Sequence, residues 1–186
     1  MKQVKVITAQ EAALLVKDND VVASNGFVGS VQPEALTSAL EARFLETGAP
    51  RDLTLIYAAS QGNSDGRGGD HFAHEGMLKK AILGHWNAVT ALQKLVNANK
   101  IQAYNLPQGT LAQYFRDVAA HRVGTITHVG LETFADPRVS GGRLNDVTTE
   151  DFVKVIQIDG KDQLFYPRMD INVALIRGTY ADEWGN

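Results

Sequence analysis

Short apolar runs alternate with helical patterns along the first two thirds of the chain. Runs of strand length lie at residues 21–23, 53–57, 81–83, 101–104 and 124–129. Apolar residues at helical spacing predict helices over residues 9–17, 33–47, 87–97 and 111–120, and a short one over 70–77. Continuously apolar strands are typical of a sheet covered on both faces, and their alternation with helices is typical of parallel strands. The pattern therefore predicts an α/β fold with a mainly parallel sheet flanked by helices.

The last part of the chain has a strand-rich pattern. Strands are predicted over residues 152–158, 163–166 and 173–176, and Asp159-Gly160 between the first two is a hairpin signal. The helix over 33–47 is expected to bury Leu36, Leu40, Phe44 and Leu45, and the first helix to bury Leu15. We find neither a repeat nor a linker, and predict one domain over residues 1–186.

Three of the predicted strands end in loops of unusual composition, at residues 25–29, 60–63 and 107–109. The carboxyl ends of parallel strands meet at one edge of a sheet, where ligands collect. In the first loop, Gly26 and Gly29 can adopt positive φ and allow a ligand close to the backbone. Pro33 suits the first position of a helix, whose N-terminus favours an anion or a developing oxyanion. We therefore expect the three loops to form one ligand site.

Composition restricts the partners and the compartment. The 186 residues carry a net charge of −3, which favours neither nucleic acid nor an anionic membrane as a partner. The absence of cysteine excludes disulfides, thiolate metal sites and a cysteine nucleophile. No apolar run approaches the roughly 20 residues that span a bilayer, and the N-terminus lacks the apolar core of a signal peptide. We expect a soluble, cytoplasmic protein.

With these loops in place, the sequence resembles the family I coenzyme A transferases. The likeness is strongest to the N-terminal half of the single-chain acetate, propionate and acetoacetate type, and it covers nearly the whole chain. Segments that carry it, in order, are Asn25-Gly-Phe-Val-Gly, Pro33-Glu-Ala-Leu, Ser60-Gln-Gly, His74-Glu-Gly, Gly84-His-Trp, Asn105-Leu-Pro-Gln-Gly-Thr and Ala174-Leu-Ile-Arg-Gly-Thr.

The resemblance implies a specific chemistry and an incomplete site. Enzymes of this family move coenzyme A between carboxylic acids, in a site between two similar α/β halves whose fold is related to that of sugar-phosphate isomerases. A glutamate of the second half attacks the acyl-CoA and becomes a glutamyl-CoA thioester. Glu75 and Glu183 match segments of the first half, so this chain is expected to carry no catalytic residue. The expected partners are a second, beta-type half, acyl-CoA and carboxylates as substrates, and further copies in a homo-oligomer. No cofactor is expected.

The residues present suit the binding part of that chemistry. Attack on a thioester places negative charge on the carbonyl oxygen, which needs preorganised donors. Backbone N–H groups and neutral side-chain amides can serve without adding a competing base. The predicted substrate and oxyanion site comprises Asn25, Gly26, Phe27, Val28, Gly29, Gln61, Gly62, Asn63, Gln108 and Gly109.

Other interpretations of the sequence are weaker. His71 and His74, flanked by Asp70 and Glu75, have no third ligand at motif spacing, and Asp65 with Asp70 lacks an EF-hand pattern, so no metal site is predicted. The pair His85-Trp86 is expected to pack beside a strand end. Arg67, Arg138 and Lys79 could meet coenzyme A phosphates but stay unassigned.

Two other functions stay open. A sugar-phosphate isomerase would need a carboxylate base and a lysine-containing phosphate loop on this chain. A ligand-sensing domain of a transcription regulator would normally carry a helix-turn-helix. The stop on the turn signal Gly185-Asn186 favours a truncated chain over a natural subunit.

Overall fold

A computed structural model describes residues 4–186 of the chain. Its helices are α1 (Ala9–Ala13), α2 (Glu34–Thr47), α3 (Thr90–Asn97) and α4 (Gln108–Ala119), with a 3-10 helix at Gly68–Phe72. Its strands are β1 (Val21–Ser24), β2 (Leu53–Tyr57), β3 (Leu78–Leu83), β4 (Gln102–Asn105), β5 (Gly124–Thr127), β6 (Lys154–Ile158), β7 (Lys161–Pro167) and β8 (Val173–Leu175).

Five of the strands form a parallel sheet in the order β4-β3-β2-β1-β8. Every residue of β2, at its centre, is buried. Leu55 packs into a core shared with α1, α2 and α3, whereas its neighbour Ile56 packs into a second core with α4 and β7. Each such side chain contributes about 1.5–3 kcal/mol by its burial. The predicted α/β fold, with a mainly parallel sheet flanked by helices, is confirmed.

The strand-rich end forms a second, antiparallel sheet in the order β5-β7-β6. Ile158 pairs with Lys161, and the two residues between them, Asp159 and Gly160, have φ angles of 50° and 72°. Positive φ at both central residues is the geometry of the two-residue turn that Asp-Gly favours. The predicted hairpin is therefore confirmed.

Several predicted boundaries and burials differ from the structure. The first helix ends at Ala13, and Leu15 beyond it is 66% exposed. In α2, Leu36, Leu40 and Phe44 face the core as predicted, but Leu45 is 65% exposed. Five residues beyond Leu40, it lies about 140° around the helix from that buried side chain.

Three predictions about helix bounds near the site also differ from the structure. The short helix predicted over residues 70–77 is the 3-10 helix Gly68–Phe72, and the helix predicted from residue 111 already begins at Gln108. Pro33 precedes the first residue of α2 instead of occupying that position.

Within residues 4–186, no helix combines the length and the apolar character that crossing a bilayer requires. The expectation for the extreme N-terminus rests partly on residues 1–3, which lie outside the described residues.

Candidate functional site

The loops that follow β1, β2, β3 and β4 meet at the carboxyl edge of the parallel sheet, around a cleft of about 490 Å³. This edge is where the sequence places the ligand site. Four predicted site residues line the cleft: Phe27, Val28, Asn63 and Gln108. The other lining residues are Ser60, Ser64, His85, Asn87 and Ala88.

The glycine loop, residues 25–32, is joined to the next loop through Val28. The Val28 N–H donates to the Ser60 carbonyl at 2.6 Å, and the Gly62 N–H donates to the Val28 carbonyl at 3.1 Å. The Phe27 N–H donates to Ser30 within the loop, at 2.9 Å. The amides of Phe27 and Val28 are therefore both occupied by carbonyl groups of the chain, although the two residues line the cleft as predicted.

Two other amides of the glycine loop remain available. Those of Gly26 and Gly29 donate no hydrogen bond to any part of the chain that the structure describes. They are the backbone donors that the loop can offer to a ligand.

Positive φ falls on unexpected residues of this loop. Gly26 has a φ of 135°, as predicted, but Gly29 is not in the left-handed region, whereas Val28 and Val31 have φ angles of 52° and 58°. A β-branched residue in this region costs about 1–3 kcal/mol. At Val28, the two hydrogen bonds to the neighbouring loop offset that cost. A Cβ atom added to Gly26 would lie 3.0 Å from the Gln32 Cα, whereas one on Gly29 would meet nothing within 4 Å.

Asn25 holds the start of the glycine loop in place. Its Oδ1 accepts the Arg177 N–H at 3.0 Å, and its Nδ2 donates to the Arg177 carbonyl at 3.4 Å. The side chain thus binds the segment after β8 and does not line the cleft.

Gln61 and Gly62 shape the second loop from beneath the cleft. Gln61 is 2% exposed, and its carbonyl accepts the Gly69 N–H at 2.8 Å. A Cβ atom on Gly62 would lie 2.2 Å from the Ala88 carbonyl oxygen, so this close approach of two backbones requires glycine. The polar residues on either side of this pair, Ser60 and Asn63, line the cleft, and the buried Oγ of Ser60 has no hydrogen-bond partner within residues 4–186. The unusual loop composition pointed to this segment but not to Ser60 itself.

Gln108 is the first residue of α4 and stands exposed at the wall of the cleft. Pro107 precedes it and provides no side-chain cap, so the first N–H groups of α4 keep their partial positive charge. Gly109 lies on another side of the same helix, against a separate cavity of about 330 Å³. Of the two predicted residues in this segment, the structure therefore brings only Gln108 into the cleft.

The Gly84-His-Trp segment after β3 lies at the cleft beside Gln108. Trp86 is 9% exposed and donates its Nε1–H to the Tyr104 carbonyl at 3.3 Å, which confirms its packing role. His85, by contrast, is exposed and lines the cleft, so the prediction that it packs was wrong. It is the single titratable side chain among the nine lining residues. Nothing in the sequence indicated that His85 would be exposed while the next residue, Trp86, is buried.

A charged cluster lies beneath the two loops. His71, 8% exposed, places Nδ1 2.6 Å from Glu41 Oε2 and Nε2 2.9 Å from Glu34 Oε1, and His74 Nε2 lies 2.7 Å from Glu41 Oε1. Burial lowers the pKa of His71, but the hydrogen bonds that its ring donates to the two carboxylates outweigh burial and raise that pKa overall. Among the described residues, no group of three possible ligands could hold a metal ion.

Asp70 connects this cluster to α3. Its Oδ1 accepts the N–H groups of Ala91 and Leu92, at 3.0 and 3.2 Å, and so caps the first turn of that helix. Burial nevertheless raises the pKa of the carboxyl group. His71, His74 and Asp70, which were considered as metal ligands from the sequence, thus have hydrogen-bond partners within the fold.

We expect His71 to make the stability of the fold pH-dependent. Because its pKa is raised in the folded state, its contribution is fully present below the ordinary histidine pKa of about 6.5 and is lost as pH rises through the raised value. Urea unfolding of the wild type and of His71→Gln, from pH 5.5 to pH 9, should show a stability difference that shrinks with rising pH. A Gln10→Ala control, which removes no ionisable group and lies at an exposed position, should show no such trend. A difference that stays constant with pH would contradict this role.

Known proteins with similar sequences are coenzyme A transferases. The sequence model of the family described as coenzyme A transferase matches residues 6–186. Caffeate CoA-transferase of Acetobacterium woodii is 41% identical over 182 residues, which are 98% of this chain and 35% of that protein. The alpha subunit of acetate CoA-transferase from Escherichia coli K12 is 28% identical over 98% of this chain and 73% of the subunit.

A solved structure agrees with these relatives. The acyl-CoA transferase YdiF from E. coli O157:H7, in a thioester complex with CoA, matches 92% of this chain and 36% of its own at 38% identity, with a TM-score of 0.89. The chain thus spans about a third of the length of the single-chain relatives that it matches. The family model, the relatives and the fold agree, and the chain belongs to the coenzyme A transferase family.

Proposed function

We propose that this chain is the alpha-type half of an enzyme that moves coenzyme A between short-chain acyl-CoA and carboxylic acids. The reaction passes through a glutamyl-CoA thioester, and its glutamate belongs to a second, beta-type half. The observation that carries the proposal is the composition of the cleft. Its walls offer amides, hydroxyls and one imidazole, and none of the nine lining residues is acidic. A carboxylate nucleophile must then come from outside this surface.

The chemistry assigns a distinct role to each half. The glutamate oxygen adds to the thioester carbonyl, the C–S bond breaks, and the CoA thiolate leaves behind an acyl-glutamyl anhydride. The thiolate then attacks the glutamyl carbonyl and releases the free carboxylate, which leaves CoA on the glutamate. Each addition places negative charge on a carbonyl oxygen. We assign the Gln108 side-chain amide, which lines the cleft, as a donor for that charge, together with the free N–H groups of Gly26 and Gly29 in the adjoining glycine loop.

An apolar rim around the glycine loop suits the second half. Phe27, Val31 and Ile176 are 61%, 51% and 68% exposed. Exposed large apolar side chains grouped near a site are typical of a surface that another protein part covers. The second half would bury this rim and exclude water from the cleft, and acyl-CoA and carboxylate would bind between the halves.

The alternative isomerase function has weaker support. It requires a carboxylate base at the ligand, whereas the cleft presents none. A ligand-sensing domain would use the same cleft without turnover, and the experiment below separates it from a transferase.

The decisive experiment is to supply the second half. The chain co-expressed with a beta-type half is expected to exchange CoA between acetyl-CoA and propionate, and mass spectrometry should find a CoA adduct on the glutamate of that half. The chain alone should give neither turnover nor adduct. A Glu→Gln variant of the second half is the matched control, since it preserves assembly but removes the nucleophile. Robust turnover by the chain alone would contradict the proposal, and so would an assembled pair that exchanges no CoA.

A further inference from the structure

Glu34 connects the two loops that build the cleft. It is the first residue of α2 and follows directly on the glycine loop and Pro33. Its Oε2 accepts the Gly68 N–H at 3.0 Å and the Gln32 side-chain amide at 3.2 Å, while its Oε1 lies 2.9 Å from His71 Nε2. One carboxylate thus binds the end of the glycine loop and the end of the loop that begins at Ser60.

These contacts close a ring of hydrogen bonds between the two loops. At one end, Val28 is joined to Ser60 and Gly62. At the other, Gly69 donates to the Gln61 carbonyl, while the preceding residue, Gly68, donates to Glu34. The packing is tight here, because a Cβ atom on Gly68 would lie 2.8 Å from the Gln61 carbonyl oxygen. Within residues 4–186, the other hydrogen bonds that join the second loop to the glycine loop are the two at Val28.

We propose that Glu34 is a positioning residue, which fixes the loop of residues 60–69 against the glycine loop and thereby sets the distance between the donors of the cleft. This role rests on the proposed transferase function for its effect on turnover, but its effect on the loop is independent of that function. Small displacements of donor groups reduce rates strongly, because transition-state stabilisation depends on their geometry.

Glu41 provides a natural comparison within the same helix. It binds both histidines, His71 at 2.6 Å and His74 at 2.7 Å, and within residues 4–186 it forms no hydrogen bond to either loop of the cleft. A shorter side chain at position 41 should therefore disturb the charged cluster and leave the hydrogen bonds between the two loops intact. His71 lies between Glu34 and Glu41, and the preceding residue, Asp70, binds the first turn of α3. The two glutamates thus separate a positioning role from a purely stabilising one.

The test changes the length and the charge of the Glu34 side chain in separate variants. Glu34→Asp keeps the charge but shortens the reach to Gly68, whereas Glu34→Gln keeps the reach and loses the charge. Glu41→Asp is the matched variant in the cluster, and Glu46→Asp is an exposed control on the same helix. Amide hydrogen exchange at Gly68 is expected to accelerate about 10-fold in Glu34→Asp, as for a lost bond to a charged acceptor, and less in Glu34→Gln. Both control variants should leave it unchanged.

Turnover of the assembled pair gives the second measurement. We expect kcat of Glu34→Asp to fall about 10-fold, with a smaller change in KM and partial recovery in Glu34→Gln. Unaltered exchange at Gly68 in both Glu34 variants would overturn the inference whatever the reaction. Equal losses of kcat in Glu41→Asp would overturn it too, since the role would then be structural. A wild-type pair without CoA transfer would instead refute the proposed function and leave the exchange result to decide on Glu34.

Discussion

Replacing Gly84 by alanine is expected to lower the free energy of unfolding by about 3 kcal/mol, the upper part of the usual range for overpacking. A Cβ atom at this position would lie 1.9 Å from the Ala58 carbonyl oxygen and 3.1 Å from the Gln108 Cα. Both neighbours are backbone atoms at the ends of packed elements, so neither can rotate away. The loops after β2 and β3 must separate, and the wall that carries Gln108 moves with them.

The glycine that follows Gln108 in the sequence provides the control. At Gly109, in the first turn of α4, an added Cβ atom meets nothing within 4 Å, so Gly109→Ala should leave stability unchanged or raise it by up to about 1 kcal/mol. Urea denaturation of the two variants measures both effects. A Gly84→Ala variant as stable as the wild type would contradict the close approach that the structure gives this residue.

Gln108→Ala is expected to lower kcat of the assembled enzyme by about 10-fold or more, as for the loss of one donor to a developing oxyanion. Gln108 is exposed and makes no side-chain hydrogen bond within residues 4–186, so the fold should keep its stability. Gln108→Glu should reduce kcat further, because it replaces the donor by a carboxylate that repels the oxyanion.

A glutamine one turn further along α4 controls for this substitution. Gln113 is exposed too, but it binds Asp117 at 3.1 Å and does not line the cleft. Gln113→Ala should therefore leave kcat unaltered in the same steady-state assay with acetyl-CoA and propionate. If Gln108→Ala turned over at the wild-type rate, Gln108 would have no part in the site.

The local sequence carried much of the fold. The apolar run at residues 53–57 predicted a strand covered on both faces, and β2 is buried throughout. Asp159-Gly160 predicted its hairpin because few residue pairs adopt positive φ twice in succession. The three loops were predicted to share one edge because parallel strands leave no other arrangement, and the cleft lies there.

Details of the site were less predictable. Composition identified the loops of the cleft but not the residues that face it. Gln61 and Ser60 are neighbours of similar polarity, yet only Ser60 lines the cleft, since the bridge to Val28 fixes which way the chain turns. His85 and Trp86 were expected to share one role, and they have opposite exposures. The predicted binding roles of Gln108, Asn63 and the glycine loop remain predictions until turnover is measured.

The sequence by itself determined the order of strands and helices, the edge where the loops gather and the family, because these follow from periodicity and from motifs along the chain. Only the tertiary structure decided which groups are free to act. Whether the amide of Val28 can serve a ligand depends on Ser60, and whether Glu34 is a surface acid or a link between loops depends on Gly68 and His71. Such hydrogen bonds join residues that are distant in sequence, and local propensity carries no information about them.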